Sequence, residues 1–454
     1  MKIKKEINAD FLTPISIYLR LTGKNKVILE SIPRENEQSR FSMIAVNPVK
    51  KVVFDDGILT VDGKPVKSDN PLKTLEEIVV KPDNDNELPF TSGAIGYAGF
   101  DTFGFYENIN PTNLEDTIGT PDMAFMLYES FVIFDHKREI VTIVEDNVYS
   151  GRSENELQSR LDEKILQLSN LTEAEISPSK INKMTFTSNI SQAEFEENVR
   201  KAQELIHNGD MFQIVLSQRL TADFTVNPFD YYRRLRVENP SSYLYFIDFT
   251  DFQVIGSSPE RLVAVRDNIV STNPIAGTRK RGNSDQEDDE LIADLLSDEK
   301  ERAEHKMLVD LGRNDIGKIS EYGSVTVPIF MKVEKYRYVM HITSEVEGQL
   351  KPEFSSMDAL ISTLPAGTLS GAPKVRAYQR IYEFEQQKRG VYGGAVGYFT
   401  KNDNCDFAIA IRTMVVKDGK AHVQAGAGIV YDSVPENEYQ ETLNKAKGLL
   451  EIGD

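Results

Sequence analysis

"AHVQAGAGIVYDSVPENEYQETLNKAKGLL" (421–450) sets a glycine-bearing β-type run against an amphipathic helix. Residues 421–433 read as a strand. Pro435 suits a first helical turn, with Ser433 or Asp432 as its cap and Gly448 as its stop. At 100° per residue, Tyr439, Leu443, Ala446 and Leu450 share one stripe, which reads as the buried face. Glu438, Glu441 and Lys445 fall together on the flank, within roughly 60° of one another. Two like charges three residues apart repel. A solvated face is the bland account of them, and a bound cation is the other.

A second pair with the same spacing lies in "DEKERAEHKMLVDLGRND" (298–315). Glu301 and Glu304 are three apart, with Ala303, Met307 and Leu311 as the expected apolar stripe and Glu304 half-buried at its border. Two helices that each present a Glu-x-x-Glu pair would form an oxygen-rich site for a hard cation such as Mg²⁺. His305 is no zinc signal, because no His/Cys set accompanies it.

The rest of the chain sets the context. It has 454 residues, 40% of them apolar and 27% charged, enough for a large core and two subdomains. A net charge of −19 excludes sequence-independent binding to nucleic acid or anionic lipid, while an anionic small substrate remains open. The single cysteine, Cys405, permits no internal disulfide and reads as a small strand residue in a reducing compartment. "MKIKKEINADFLTP" (1–14) has no apolar run behind its basic residues, and no window reaches the ~20 apolar residues of a membrane helix, so no membrane role and a cytoplasmic location are expected.

Up to about residue 150 short β-type runs alternate with turns, including "KNKVILESI" (24–32), "KKVVFDDGILTVDG" (50–63) and "SFVIFDHKREIVTIVEDN" (130–147). A polar helix and a Ser/Pro/Lys stretch over 151–184 mark the boundary between an N-terminal subdomain, 1–180, and a catalytic one, 185–454, that share a core. Beyond it come a Ser-capped helix over "SQAEFEENVRKAQELIHNGD" (191–210), a strand in "MFQIVLSQRLTADF" (211–224), and one or two helices in 288–315. "GAIGY" at 93–97 recurs as "GAVGY" at 394–398, glycines inside β-type runs that suggest close backbone approach. The expected class is α+β: two packed, mainly antiparallel sheets flanked by helices.

Three glycine runs offer bare backbone N–H to an anion: "PIAGTRKRG" (274–282), "LPAGTLSGAPK" (364–374) and "VQAGAGIV" (423–430). None is a Walker loop or a dinucleotide fingerprint. Arg412 interrupts the apolar run "AIAIRTM" (408–414) and is expected to point inward, as a structural ion pair or a carboxylate clamp. His341 in "YVMHITSEVEG" (338–348) is either a satisfied core histidine or a general acid/base.

Taken in order, "PIAGTRKRG", "AEHKMLVDLGRND", "YVMHITSEVEG", "LPAGTLSGAPK", "RGVYGGAVGYF", "AIAIRT", "QAGAGIVYDSVPENEYQET" and "NKA" resemble the chorismate-utilising enzymes, and among them the anthranilate synthase large subunits. The resemblance spans nearly all of 187–454, and "ILESIPRENEQSRFSMIAVNP" (28–48) extends it more loosely. It implies a lyase that joins ammonia to chorismate, releases pyruvate and leaves anthranilate, the entry to tryptophan biosynthesis. It implies a Mg²⁺ ion on Glu304 and Glu441, with Glu301 and Glu438 in support. Lys445 resembles a further substrate contact, and Gly277 and Thr278 the site for the ring carboxylate. Tyr392 and Arg412 resemble the holders of the enolpyruvyl carboxylate, beside the backbone of Gly426, Ala427 and Gly428. Glu260 in "GSSPERL" (256–262) resembles the general acid that protonates the departing 4-hydroxyl, and His341 the family's histidine near the ring.

Two positions separate sibling activities. Aminodeoxychorismate synthases carry a nucleophilic lysine where this chain has Ala276; isochorismate and salicylate synthases carry a lysine base where it has Gln213. With neither lysine an external nucleophile is needed, and ammonia fits. No amidotransferase segment is present, which implies a glutaminase partner subunit and a heterotetramer. Glu30 and Ser31, with Ser242, Tyr243 and Leu244 of "NPSSYLYF" (239–246), resemble the family's tryptophan effector pocket, with Ile28, Ser242 and Leu244 departing from its pattern. The complete absence of tryptophan suits an enzyme made when tryptophan is scarce.

Overall fold

The computed structural model of the chain describes residues 1–453 apart from 32–39, 82–86, 110–113, 172–178, 182, 283 and 336–338. Part of "ILESIPRENEQSRFSMIAVNP", part of the expected 151–184 boundary and Tyr338 of "YVMHITSEVEG" therefore lie outside the described residues.

Local chemistry builds the strands in antiparallel pairs. Asp56–Gly57 and Asp62–Gly63 all take positive φ, the conformation of a two-residue hairpin turn whose twist matches its strands. They link Lys50–Asp55, Ile58–Val61 and Lys64–Val66 into a meander. Among the described residues such pairs assemble into two antiparallel sheets of twelve strands each. Each sheet mixes early and late parts of the chain. In the first sheet Val27–Glu30 pairs with Tyr243–Asp248, so Leu29 faces Tyr245. In the second, Gly93–Ala98 pairs with Ala395–Thr400 and sets Gly96 opposite Gly397. The two echoing "GA-GY" runs are thus neighbours at the seam.

Between the sheets lies one core layer, with Val27, Met43 and Tyr245 of the first against Tyr97, Met126 and Val396 of the second. Helices cover both outer faces, among them Pro71–Val79 and Ser356–Thr363 on one side and Glu154–Leu168 and Pro228–Glu238 on the other. Burying apolar side chains on both faces of a sheet supplies most of the driving force for such a layered fold. Among the described residues no helix is long and apolar enough to cross a membrane.

Two helices matter for the site. The acidic run after Ser284 forms two helices, Asp285–Ser297 and Glu299–Gly317, because the Asp298 carboxylate caps the second by accepting the N–H groups of Lys300 and Glu301. The second buries His305, Leu308, Val309, Asp315 and Ile316 rather than the expected Ala303, Met307 and Leu311 stripe; Ala303 is exposed. Apolar spacing misplaced that face because His305 and Asp315 are inward-facing polar residues.

The helix Pro435–Leu450 likewise buries Thr442, Ala446 and Leu449, with Tyr439, Leu443 and Leu450 only half-buried. Thr442 is tolerated inside because its hydroxyl accepts a hydrogen bond from Gln218 Nε2 at 2.5 Å. No side chain caps this helix; the Ser433 hydroxyl accepts the N–H of Val430 instead. Gly448 does not end it. Its carbonyl accepts Asn239 Nδ2 at 2.7 Å, and a Cβ there would lie 2.8 Å from Asn239 Oδ1, so the glycine serves close approach.

Candidate active site

The helices Glu299–Gly317 and Pro435–Leu450 bring their acidic flanks to one cleft. Glu304, expected to be half-buried, is exposed on that cleft, yet the surrounding protein raises its carboxyl above the ordinary range by desolvation, with the nearby charges of Glu301 and Glu441 adding to the effect. Glu438 is raised too, by burial first and then by Glu441, against a hydrogen bond with Ser433. Lys445 joins its own helix to the strand Lys420–Ile429: its Nζ lies 2.7 Å from Glu441 Oε1 and donates to the Gly426 carbonyl at 3.1 Å. At the rim Lys300 and Asp432 approach to 3.6 Å, both exposed and so worth little stability. Arg279 Nη1 donates to Glu301 Oε1 at 3.4 Å.

Among the described residues, the acids that gather three ligand oxygens within 4.8 Å of one another are Asp55, Asp56 and Asp122, not these glutamates. Lys388 already ion-pairs with two of the three, at 2.9 Å from Asp56 and 3.3 Å from Asp122. The glutamates form a looser set, in which the charge of Glu441 is felt by both Glu304 and Glu438. That suits a cation such as Mg²⁺, which keeps several waters and takes oxygens from its substrate.

Glu260 follows the strand Phe252–Ser258 and is buried, 7% exposed. Burial pushes its carboxyl up to about 8, against the pull of the Thr368 hydroxyl, the Lys445 charge, the Ile275 N–H and the Arg412 charge. The Thr368 hydroxyl donates to Oε1 at a long 3.4 Å. A carboxyl held this way keeps its proton at neutral pH and can act as an acid there. Arg412 does not point into the core as expected. It sits in the left-handed region at φ 49° in the turn before Thr413–Lys417 and is exposed, with its charge reaching Glu260.

His341 lies on the strand Val339–Gln349, opposite Thr278 of Ile275–Lys280. Its Nδ1 is 3.1 Å from the Gly277 carbonyl and 2.9 Å from Thr278 Oγ1. A carbonyl can only accept, so the neutral ring carries its proton on Nδ1 and its lone pair on Nε2. Gly277 has φ 73°, and a Cβ there would lie 3.1 Å from Glu301 Oε2; only glycine brings this backbone to the acidic helix without strain or crowding. Across the cleft, a Cβ on Gly426 would meet the Tyr392 hydroxyl at 2.9 Å, and one on Gly428 the Gln213 amide at 2.7 Å. Gln213, Tyr392 and Ala427 are buried, and Ala276 is half-buried, paired with Ile342.

A separate pocket is lined by Ser31, Ser242, Tyr243, Arg261, Glu345 and Asp406, among others. The other two residues expected there stand elsewhere. Glu30 is buried, accepting bonds from the Tyr232 hydroxyl at 2.8 Å and from Arg236 at 2.9 and 2.8 Å. Leu244 belongs to the core. Pattern matching cannot tell a pocket wall from the strand neighbour that supports it.

Two contributors escaped the sequence reading. The first is Thr368, inside a motif noticed only for its glycines. The second is Arg389, fully buried, which donates to the Val215 and Leu369 carbonyls at 2.8 Å each and stands over Phe100 and Tyr392 at 4.5 and 5.5 Å. An arginine directly before a glycine-rich turn was the available signal for it.

The model of the family described as "chorismate binding enzyme" matches residues 25–451. The chain is 72% identical to anthranilate synthase component 1 of Lactococcus lactis subsp. lactis (strain IL1403), covering 100% of both chains. It is 45% identical to component 1 of Acetivibrio thermocellus over 99% of this chain and 94% of that one. The crystal structure of anthranilate synthase component I from Streptococcus pneumoniae TIGR4 superposes with a TM-score of 0.87 at 54% identity, covering 98% of each chain. The menaquinone-specific isochorismate synthase of Escherichia coli shares the fold alone, at a TM-score of 0.76 and 19% identity over 100% of this chain and 95% of that one. With the cleft, its buried acid and these relatives in agreement, the chain belongs to the chorismate binding enzymes and, within them, to the anthranilate synthase component 1 family.

Proposed function

We propose that this chain converts chorismate and ammonia to anthranilate and pyruvate, using Mg²⁺ and ammonia from a glutaminase subunit, under feedback inhibition by tryptophan. The observation that carries the chemistry is Glu260, a buried acid held protonated near neutral pH within reach of the Lys445 and Arg412 charges. In this reading Tyr392 and Arg412 hold the enolpyruvyl carboxylate, Gly277 and Thr278 receive the ring carboxylate with Lys445 as a further substrate contact, and Gly426, Ala427 and Gly428 let the backbone come close. Glu260 gives its proton to the departing 4-hydroxyl as ammonia adds at C2. His341, with its lone pair on Nε2, is positioned to handle a proton near the ring. Glu304 and Glu441 would hold the cation, supported by Glu301 and Glu438. When bound, the ion supplies positive charge that binds the ring carboxylate and steadies charge developing there.

Ala276 and Gln213 favour an external nucleophile, because neither a methyl nor an amide can attack the ring or take a proton from water. The pocket at Ser31, Ser242 and Tyr243 supports the effector reading: its lining offers both carboxylate and guanidinium groups, in Glu345, Asp406 and Arg261, for the ends of an amino acid. The test is to supply the purified chain with chorismate, Mg²⁺ and ammonium in mildly alkaline buffer. Fluorescent anthranilate and pyruvate in equal amounts are expected. Accumulation of isochorismate or aminodeoxychorismate would overturn the reading.

A further inference from the structure

Glu260 also lines a small cavity that the acid–substrate chemistry does not explain. The helix Glu299–Gly317 contributes Leu308, Leu311, Gly312 and Asp315 to its wall, and the turn after Ser356–Thr363 contributes Gly367 and Thr368. Asp315 is buried, 6% exposed. Its Oδ2 accepts a hydrogen bond from Lys374 Nζ at 2.9 Å, and Lys374 also donates to the Thr363 carbonyl at 3.1 Å. Asp315 Oδ1 accepts no hydrogen bond from the described residues. It stands 3.7 Å from Nζ of Lys318, whose side chain is 57% exposed. Among the described residues the partner of Oδ1 is that long, solvent-facing ammonium, a weak supply for a buried carboxylate on a cavity wall. The cavity has room for a short file of water.

The need for such a feature follows from the proposed role of Glu260, on which this inference rests. Each turnover leaves Glu260 as a buried carboxylate that must regain a proton before the next. We infer that Asp315 is the inner station of a proton-return path, joined to Glu260 by water in the shared cavity and to solvent past Lys318. One proton enters from bulk water and forms an O–H bond at Asp315. That bond breaks as the proton passes through the cavity water, and a new O–H bond forms on Glu260. No electrons are exchanged. The departing hydroxyl carries the spent proton away as water, and the added ammonia returns one to solvent. The charged groups around the path are Lys374 and Lys318 at Asp315, Glu107 acting on Lys374, Lys445 and Arg412 at Glu260, and Arg261 on the cavity wall. Burial raises the Asp315 carboxyl, which brings it nearer to exchanging a proton at working pH.

The test is Asp315→Asn in the full chain, assayed with ammonium at saturating chorismate and Mg²⁺. The expected result is a fall in kcat of about tenfold or more, an unchanged KM for chorismate, and recovery of much of the lost kcat on adding formate or acetate. A wild-type kcat, or a fall that no small acid restores, overturns the proposal. The double variant Asp315→Asn/Lys374→Met removes the unpaired lysine. It should stay slow and acid-rescued, and full activity without added acid would assign the loss to that lysine and refute the relay. Should the single variant fail to fold, the double variant carries the test on the same rescue criterion. Glu260→Gln separates the two readings: if that variant stays active, it is the role of Glu260 that fails.

Discussion

Two buried carboxylates, Glu145 and Glu260, sit in the same chain under opposite arrangements. Glu145, on the strand Ile140–Asp146, accepts Ser130 at 2.8 Å and Arg160 at 3.0 Å and lies 2.5 Å from Lys164. Each of its two oxygens finds a donor, Oε1 two and Oε2 one, and the residue holds sheet to helix. Glu260 is also buried but receives one long bond from Thr368 and the Ile275 N–H, with its cationic neighbours acting only through their charge. The difference teaches how to read a buried acid. Saturated with donors it is architecture, and starved of them it keeps a proton that it can give away.

The largest expected effect breaks this comparison at its reactive end. Glu260→Gln should lower kcat by about 10²–10⁴-fold, measured as anthranilate formed with ammonium, while the thermal midpoint holds or rises. The sign follows from linkage. The folded state keeps the Glu260 proton up to about pH 8, whereas the unfolded chain releases it near the ordinary glutamate value of 4.5. Glu260 therefore costs stability progressively as pH rises through that window, and the Gln variant should gain most over wild type above pH 8. The same ionisation should bring down kcat/KM of the wild type above about pH 8, read from a pH–rate profile.

At the architectural end, Glu145→Ala should cost about 3–5 kcal/mol of folding stability, because it strands Lys164 and Arg160. Urea unfolding measures that loss, and turnover per folded molecule should stay within about twofold of wild type, as expected for a change away from the cleft.

Sharpening comes next from the open glutamates. Glu304→Gln and Glu441→Gln should each reduce activity by about 10- to 100-fold, with unfolding curves unchanged, and EDTA should silence the wild type. Activity that survives the chelator would remove the cation from the account. The smallest effect belongs to the outer cavity. Ser31→Ala should raise the tryptophan concentration needed for half-inhibition by a few-fold, about what one lost hydrogen bond allows; an unchanged inhibition curve would move the effector site elsewhere.

Much of the fold was legible beforehand because its signals are local. Hairpin turns at Asp56–Gly57 and Asp62–Gly63, the Ser191 cap of the helix Gln192–His207, and alternating β-type runs each follow from a few neighbouring residues. Errors arose where tertiary contacts overrode a local rule. Gly448 looked like a stop but makes room for Asn239. The buried faces of both acidic-flank helices turned because His305, Asp315 and Thr442 are polar residues accommodated inside. Arg412 broke an apolar run by turning the chain outward at a left-handed residue, not by entering the core.

Residue identity and short-range spacing were enough for the family, the α+β class and the residue types gathered around the acidic helices. Only the tertiary structure decided which carboxylates are starved of donors and which are saturated. It also decided that Ser31 walls a cavity while Glu30 braces it, and that Asp315 shares a chamber with Glu260. Desolvation and hydrogen-bond supply arise from chain segments brought together from afar, and that summation exists only after folding.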